Sequence, residues 1–375
     1  MAFSLRPVGK LTAEAVSQTA PQSEAAPTAS REVPAALQSP GDRSLDQWRG
    51  LALLLVLISH GFFYTGKVPG IGRTGVNLFF FISGILVFRS LAKGPQETSR
   101  GARHFWYRRI KRLLPAMYFY LFCMVLLVLA VGTHFNSPEF RPSFFNGLPS
   151  AFLYYKNYYT TPFSGGTENL TGHLWSLACE MQFYLLAPII FFAGGRSVLR
   201  RFVVFGTVLI GLLAGGLSVL GKSQFEPYTF GVAAWPMMAG FFAEFLRQAF
   251  PQHLKRWGRL LVWCGALSLV VLVPTVMTGH KKAVILAGTL LVAGCLGSYL
   301  RGIAPRGFIG DGFHFLGNRT YSIYLWQQPL TLGGLVPALW HPLGSLLAIP
   351  LGTLSFHFFE RPFMSKYGKP RTKSG

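Results

Sequence analysis

Apolar residues occur in long runs from Asp46 onward, and short polar or basic breaks separate the runs. A helix needs ~20 mostly apolar residues to cross the hydrocarbon core of a bilayer, and the runs are about that long. The pattern predicts ten membrane-spanning helices, at 46–64, 74–92, 113–131, 172–193, 202–220, 229–247, 260–278, 283–300, 314–336 and 343–360. The predicted fold is therefore all-α, a polytopic membrane protein.

The two ends of the chain differ from this pattern. Residues 1–42 are rich in Ala, Pro, Ser, Gln and Glu, and the segment lacks the basic start, apolar core and cleavage site of a signal peptide. We expect a disordered cytoplasmic tail there. Residues 43–363 are predicted to form the membrane domain, and 364–375 a basic cytoplasmic tail.

Composition supports a membrane protein. Hydrophobic residues make up 51% of the chain and charged residues 13%, whereas soluble domains carry about 25% charged residues. This argues against a soluble globule, a disordered chain, a coiled coil and a disulfide-rich module. The four cysteines (Cys123, Cys179, Cys264 and Cys295) all lie in apolar runs, so we expect neither disulfides nor a metal site.

The formal net charge is +22, from 35 Lys and Arg against 13 Asp and Glu. Such an excess can indicate nucleic-acid binding, but in a membrane protein basic residues concentrate on the cytoplasmic side. With ten spans and a cytoplasmic N-terminus, roughly four fifths of the Lys and Arg residues fall on that side. We expect both termini in the cytoplasm and no nucleic-acid partner.

The first predicted span carries Arg49 and His60 on one helical face, since eleven residues make just over three full turns. The two are ~16 Å apart along the axis, which places His60 near mid-membrane. Histidine suits general-base chemistry near neutral pH. A hydrogen-bonded packing histidine is the alternative.

The fourth predicted span carries a polar stripe of His173, Ser176, Glu180 and Tyr184. Glu180 lies ~14 Å below the outer surface, close to the depth expected for His60. A carboxylate and an imidazole at one depth could form a base and its orienting partner. Equal depth does not establish contact, and Arg49 or another group could pair with Glu180 instead.

The segment 103–115 is basic and interleaved with aromatic residues. It could anchor the chain to anionic lipid. It could also bind a polyphosphate ligand, because Arg109 and Arg112 lie one turn apart and present two guanidinium groups.

Other polar positions suggest further sites. The ninth run contains Tyr321, Gln327 and neighbouring polar groups, which indicates a wet cavity. The outer loop 132–171 is rich in tyrosine and could stack on a sugar or form an interfacial belt. Gly84 in the second run predicts close helix packing.

Taken together, these motifs resemble the acyltransferase 3 family of multipass enzymes that O-acylate carbohydrates and some small molecules. The resemblance covers about residues 43–363. It rests on six motifs in order: Asp46…Arg49…His60, Gly72…Ser83-Gly84, Arg109-x-x-Arg112-x-x-Pro115, His173-x-Trp175-Ser176-Leu177-x-x-Glu180-x-x-Phe183-Tyr184, Tyr321-Ser322-x-Tyr324-Leu325…Pro329, and Phe359-Glu360-Arg361-Pro362.

The resemblance implies transfer of an acyl group, foremost acetyl, from cytoplasmic acyl-CoA to a hydroxyl of a saccharide or lipid-linked glycan. His60 would act as base or form an acyl-histidine. The implied site residues are His60, Glu180 and Arg49 for catalysis, Arg109 and Arg112 for acyl-CoA, and His173, Tyr184, Asn77, Tyr321 and Gln327 for substrate.

The chain departs from the family pattern at two positions. Asn77 stands where an acidic residue is common, and Gln327 where many members have histidine. An esterase-like domain fused to some members is not seen, which favours direct transfer to the acceptor. Acylation of a small secondary metabolite, a transporter or exporter, and a non-catalytic membrane scaffold are the alternatives.

Overall fold

The structure, a computed structural model, describes residues 39–62, 70–131, 140–159, 170–219, 229–278, 281–331 and 340–365. The predicted tails fall almost wholly outside these residues. The described part contains helices and turns and no strand. The helices are α1 (Pro40–Phe62), α2 (Ile71–Lys93), α3 (Thr98–Val131), α4 (Phe140–Phe152), α5 (Lys156–Tyr159), α6 (Leu174–Ala193), α7 (Val198–Val219), α8 (Phe230–Ala249), α9 (Pro251–Thr278), α10 (Lys281–Arg301), α11 (Phe308–Thr331), α12 (His341–Ser355), a π-helical turn (Phe356–Glu360) and α13 (Arg361–Ser365).

The all-α, polytopic prediction is confirmed. Each of the ten predicted runs overlaps one long helix among the described residues. Five segments are long and apolar enough to cross a membrane: Ile71–Lys93, Thr98–Ala130, Leu174–Ala193, Val198–Gly216 and His341–Phe363. The count of ten spans therefore stays a prediction.

Several helices start earlier than the apolar pattern predicts, and α1 and α3 are two examples. α1 begins at Pro40 rather than residue 46, because Ser39 caps it by accepting a hydrogen bond from the Asp42 amide at 3.2 Å, with proline at the first helical position. α3 begins at Thr98 rather than residue 113, since arginine, lysine and alanine continue a helix well. The basic segment is thus helical.

The predicted outer loop contains the short helices α4 and α5. Asn157 of α5 is fully buried and accepts a hydrogen bond from the Gln182 amide at 2.8 Å. Its amide therefore holds this segment against α6.

Small residues allow the helices that form the site to approach closely. A Cβ at Gly84 would overlap the carbonyl oxygen of Met237 in α8, and one at Gly240 would overlap that of Phe81. The packing prediction for Gly84 is confirmed. α1 packs against α2, α11 and α12, so side chains of α1 are brought next to those of α2 and α11.

Candidate active site

A cavity of about 160 Å³ lies where α1, α2 and α11 meet the start of α6. We call it the histidine cavity because two histidines, His60 and His173, line it. Its other lining residues are Val56, Ser59, Gly70, Gly72, Arg73, Val76, Trp175, Tyr324 and Gln328. Polar groups and aromatic rings therefore share one enclosed space, as is common in small-molecule sites.

His60 lies in the last turn of α1, and its ring is fixed by Gln327 of α11. Nδ1 lies 2.7 Å from the Gln327 amide oxygen. An amide oxygen only accepts hydrogen bonds, so in the neutral imidazole this contact places the proton on Nδ1 and leaves Nε2 as the free nitrogen. An imidazole with a free Nε2 can accept a proton from a bound hydroxyl.

Glu180 of α6 has other partners. Its Oε1 accepts a hydrogen bond from Ser83 of α2 at 2.6 Å and a short one from the Tyr184 hydroxyl. Of the partners left open for Glu180, the structure shows Ser83 and Tyr184 rather than His60 or Arg49 among the described residues. The His60 ring contacts the amide of Gln327 instead.

His60 lies at the level of His173, at the start of α6, because both residues line the same cavity. Glu180 is seven residues beyond His173, which is ~10 Å along the helix.

A narrower, mostly apolar cavity of about 30 Å³ lies next to the histidine cavity. The two share Val56, Val76 and Tyr324 as walls, and Glu180 and Tyr321 line the narrow one. We call it the narrow cavity. The Tyr321 hydroxyl donates to the Leu113 carbonyl at 2.7 Å. Tyr321 can therefore contact a substrate with its aromatic ring but not with its hydroxyl.

A third cavity, of about 410 Å³, is strongly basic. We call it the basic cavity; its lining comprises Asp42, Leu86, Arg89, Ser90, Lys93, Arg108, Arg109, Lys111, Arg112 and Phe363. Six lining residues are cationic and one, Asp42, is acidic. Arg89 forms a short ion pair with Asp42. Burial opposes ionisation of Asp42, but hydrogen bonds from Arg89 and Ser39 hold the pKa of its carboxyl below its ordinary value.

The two arginines predicted to act together have different surroundings. Arg109 stacks on the rings of Tyr184 and Phe105, at 4.8 and 5.3 Å from their centres, and has no carboxylate within ion-pair distance in the described part of the chain. Arg112 donates from Nε to the fully buried Glu360 at 3.3 Å. Glu360 also accepts from Ser322 at 2.9 Å. The guanidinium of Arg112 is thus partly engaged by Glu360, whereas the N–H groups of Arg109 are available to a ligand.

Arg49 and Asn77 lie apart from these groups. Arg49 lies 3.9 Å from Asp46 and stacks over Phe79 at 5.3 Å from the ring centre, and it lines none of the three cavities. Asn77 is half-buried on α2 and also lines none of them. The structure therefore does not bring the predicted catalytic Arg49 to His60, because the two residues are eleven positions apart along the helix axis.

The sequence analysis did not single out Gln328 or Ser83 as site residues. Gln328 lines the histidine cavity, and Ser83 donates to Glu180. The position of Gln328 beside Gln327 in a mostly apolar run could have indicated a site residue. Ser83 gave no such signal, because a serine beside glycine in a membrane helix is typical of helix packing.

Comparison with known proteins supports the resemblance. The chain matches the acyltransferase 3 family, described as an acyltransferase domain, over residues 42–358. It is 27% identical over 350 residues to the peptidoglycan O-acetyltransferase OatA of Listeria monocytogenes, covering 85% of this chain and 55% of that protein. It is also 27% identical over 366 residues to "Putative peptidoglycan O-acetyltransferase YrhL" of Bacillus subtilis, covering 86% and 55%.

The chain thus spans about half the length of the curated relatives it matches. No solved structure shows significant similarity to it. The family match covers most of the chain, including His60, Arg109, Arg112 and Glu180. The chain belongs to the acyltransferase 3 family.

Proposed function

We propose that the chain is an integral-membrane O-acyltransferase that moves an acetyl group from cytoplasmic acetyl-CoA to a hydroxyl of a saccharide outside the cytoplasm. Both termini lie in the cytoplasm in this proposal, and the membrane is the bacterial cytoplasmic membrane. One observation carries the proposal: His60, whose Nδ1 lies 2.7 Å from the Gln327 amide oxygen, lines a cavity that shares walls with the narrow cavity beside Glu180.

The chemistry follows from the state of His60. Nε2 accepts the proton of the acceptor hydroxyl, whose oxygen attacks the thioester carbonyl carbon. The carbon–sulfur bond breaks, and the new ester keeps the acetyl group. The imidazolium then returns its proton to the departing CoA thiolate. An acyl-histidine is the mechanistic alternative, in which Nε2 itself attacks the carbonyl carbon.

The basic cavity is the proposed donor site. CoA carries several phosphate charges, and guanidinium groups bind phosphate through charge-assisted hydrogen bonds. Arg109 is the principal phosphate ligand because its guanidinium is not paired with a carboxylate. Arg112, tied to Glu360, positions the cavity wall and contributes charge.

The thioester arm would extend from Arg109 past Tyr184 and Glu180 towards His60. The narrow cavity measures about 30 Å³, so it must widen to admit the arm. Tyr184 and Glu180 are joined by a hydrogen bond, and their displacement would open this path. We assign Tyr184 to the donor side on these grounds.

The relatives are named for acetylation of peptidoglycan, and this favours a saccharide acceptor. Aromatic rings and hydrogen-bonding groups line the histidine cavity, and both suit a sugar ring. Two rival functions are the acylation of a small metabolite on the cytoplasmic side and transport. An experiment with reconstituted vesicles separates both from the proposal.

The protein is reconstituted into vesicles of bacterial phospholipid, with a soluble peptidoglycan glycan fragment inside and radiolabelled acetyl-CoA outside. We expect acetylated glycan inside, with CoA released outside in equal amount. Acetylation only when both substrates are outside would favour the cytoplasmic metabolite function. Passage of glycan without acetylation would favour transport. Either result would overturn the proposal.

A further inference from the structure

We propose that His173 and Gln328 form the binding site for the acceptor, holding a hydroxyl-rich ligand beside His60 in the histidine cavity. Both residues line this cavity. The inference rests on the proposed acyl transfer for the reaction that the ligand undergoes. It goes further by naming the groups that hold the acceptor and the chemistry they select.

The first observation is a cluster of buried polar atoms without partners. His173 is 4% exposed and Gln328 is 1% exposed. Both ring nitrogens of His173 and the amide nitrogen of Gln328 lack hydrogen-bond partners in the described residues. Buried polar groups are almost always satisfied, because an unpaired one costs roughly 1–3 kcal/mol. Three such atoms around one cavity therefore point to a polar occupant.

The carbonyl of Leu325 faces the His173 ring without reaching hydrogen-bond geometry. At most one ring nitrogen could turn towards it. The other nitrogen and the Gln328 amide would still be left for a ligand.

The orientation of Gln328 follows from its neighbours. Gln327 accepts from His60 through its amide oxygen and approaches the Gln328 oxygen with its amide nitrogen, at 3.4 Å. The oxygen of Gln328 thus faces a donor, and its amide nitrogen remains to donate to a ligand. His60, Gln327 and Gln328 thus form a row of neighbouring side chains that leads from the proposed base to the proposed ligand site.

His173 is held firmly as well. Its carbonyl accepts hydrogen bonds from the Tyr324 hydroxyl at 3.0 Å and the Ser176 hydroxyl at 3.1 Å. Tyr120 packs edge-on against its ring, with the centres 5.6 Å apart. A binding group fixed in this manner loses little entropy when it takes a ligand.

The donor and acceptor pattern selects the ligand class. A neutral imidazole offers one donor and one acceptor, and the Gln328 amide adds donors. A thioester carbonyl can only accept, so it would leave the acceptor nitrogen of His173 unpaired. A hydroxyl both donates and accepts. Trp175, whose ring is covered by the Arg73 guanidinium at 5.3 Å, and Tyr324 add aromatic walls. This combination fits a polyhydroxylated saccharide.

The test measures binding in a His60→Ala background, which removes the proposed base, with the full chain in detergent. Isothermal titration gives separate Kd values for a soluble peptidoglycan glycan fragment and for acetyl-CoA. The variants are Gln328→Leu, His173→Leu and His173→Gln, where the last restores a donor and an acceptor. Gln252→Leu, on the exposed start of α9, is the matched control.

We expect Gln328→Leu and His173→Leu each to weaken glycan binding about tenfold, with the Kd for acetyl-CoA unchanged. His173→Gln should recover most of the loss, and Gln252→Leu should behave as the background. Two results would overturn the inference: glycan affinity unchanged in both leucine variants, or equal losses for glycan and acetyl-CoA. If His60→Ala retains acyl transfer, the proposed base is wrong, yet a selective loss of glycan affinity would still support this binding site.

Discussion

The guanidinium of Arg109 lies 4.8 Å from the centre of the Tyr184 ring, and the Tyr184 hydroxyl donates to Glu180. Arg109 lines the basic cavity and Glu180 lines the narrow cavity. Tyr184 therefore lies between a residue of the basic cavity and a residue of the narrow cavity. In the proposed donor site, a ligand whose phosphates bind Arg109 would begin its path to His60 at this ring.

Arg109→Ala should weaken acetyl-CoA binding about tenfold or more, because it removes charge-assisted hydrogen bonds to phosphate. The turnover number should change little, since this contact is remote from the thioester. Titration with acetyl-CoA and with dephospho-CoA shows which phosphate is bound. Arg256→Ala, at an exposed position on α9, is the control. A fall in turnover at unchanged CoA affinity would contradict the assignment of Arg109.

Glu360→Gln should destabilise the fold, because Arg112 loses its carboxylate and Ser322 a charged acceptor. Breaking a buried ion pair from one side costs on the order of 3 kcal/mol. Thermal unfolding in detergent should show a clear loss relative to Glu97→Gln, an exposed control before α3. Equal stability of the two variants would show that the Arg112–Glu360 pair does not hold α3 to the C-terminal helices.

Gly84→Ala should prevent correct packing of α2 against α8, because the new Cβ would overlap the Met237 carbonyl oxygen. Overpacking of this kind costs typically ~1–3 kcal/mol or more. Gly211→Ala on α7 is a matched control, since no atom lies within 4 Å of its added Cβ. Fluorescence-detected size exclusion should show a loss of monodisperse protein for Gly84→Ala alone. Normal behaviour of both variants would refute the close contact.

Gln327→Leu should lower the turnover number about tenfold to a hundredfold, because His60 loses the acceptor that fixes its tautomer. The KM values for acetyl-CoA and glycan should stay near those of the wild type. Gln327→Glu keeps an acceptor oxygen and should recover part of the turnover. A rise in KM at unchanged turnover would instead make Gln327 a binding residue.

The all-α fold could be predicted from the sequence because long apolar runs have few alternatives in a membrane protein. The contact between His60 and Gln327 could not be predicted, since it depends on how α1 packs against α11. The start of α1 at Pro40 could not be predicted from the apolar run, because a polar cap at Ser39 begins the helix outside that run. The ion pair between Arg112 and Glu360 could not be predicted either, because the two residues are about 250 positions apart in the chain.

The acetyl-transfer rate of His60→Ala tests the central claim most directly. The variant and His253→Ala, an exposed control on α9, are purified and first shown to bind acetyl-CoA with wild-type affinity. Glycan acetylation is then measured at saturating acetyl-CoA. We predict a rate at least about a hundredfold lower for His60→Ala and an unchanged rate for His253→Ala. Transfer by His60→Ala at the wild-type rate would contradict the assignment of His60 as the base.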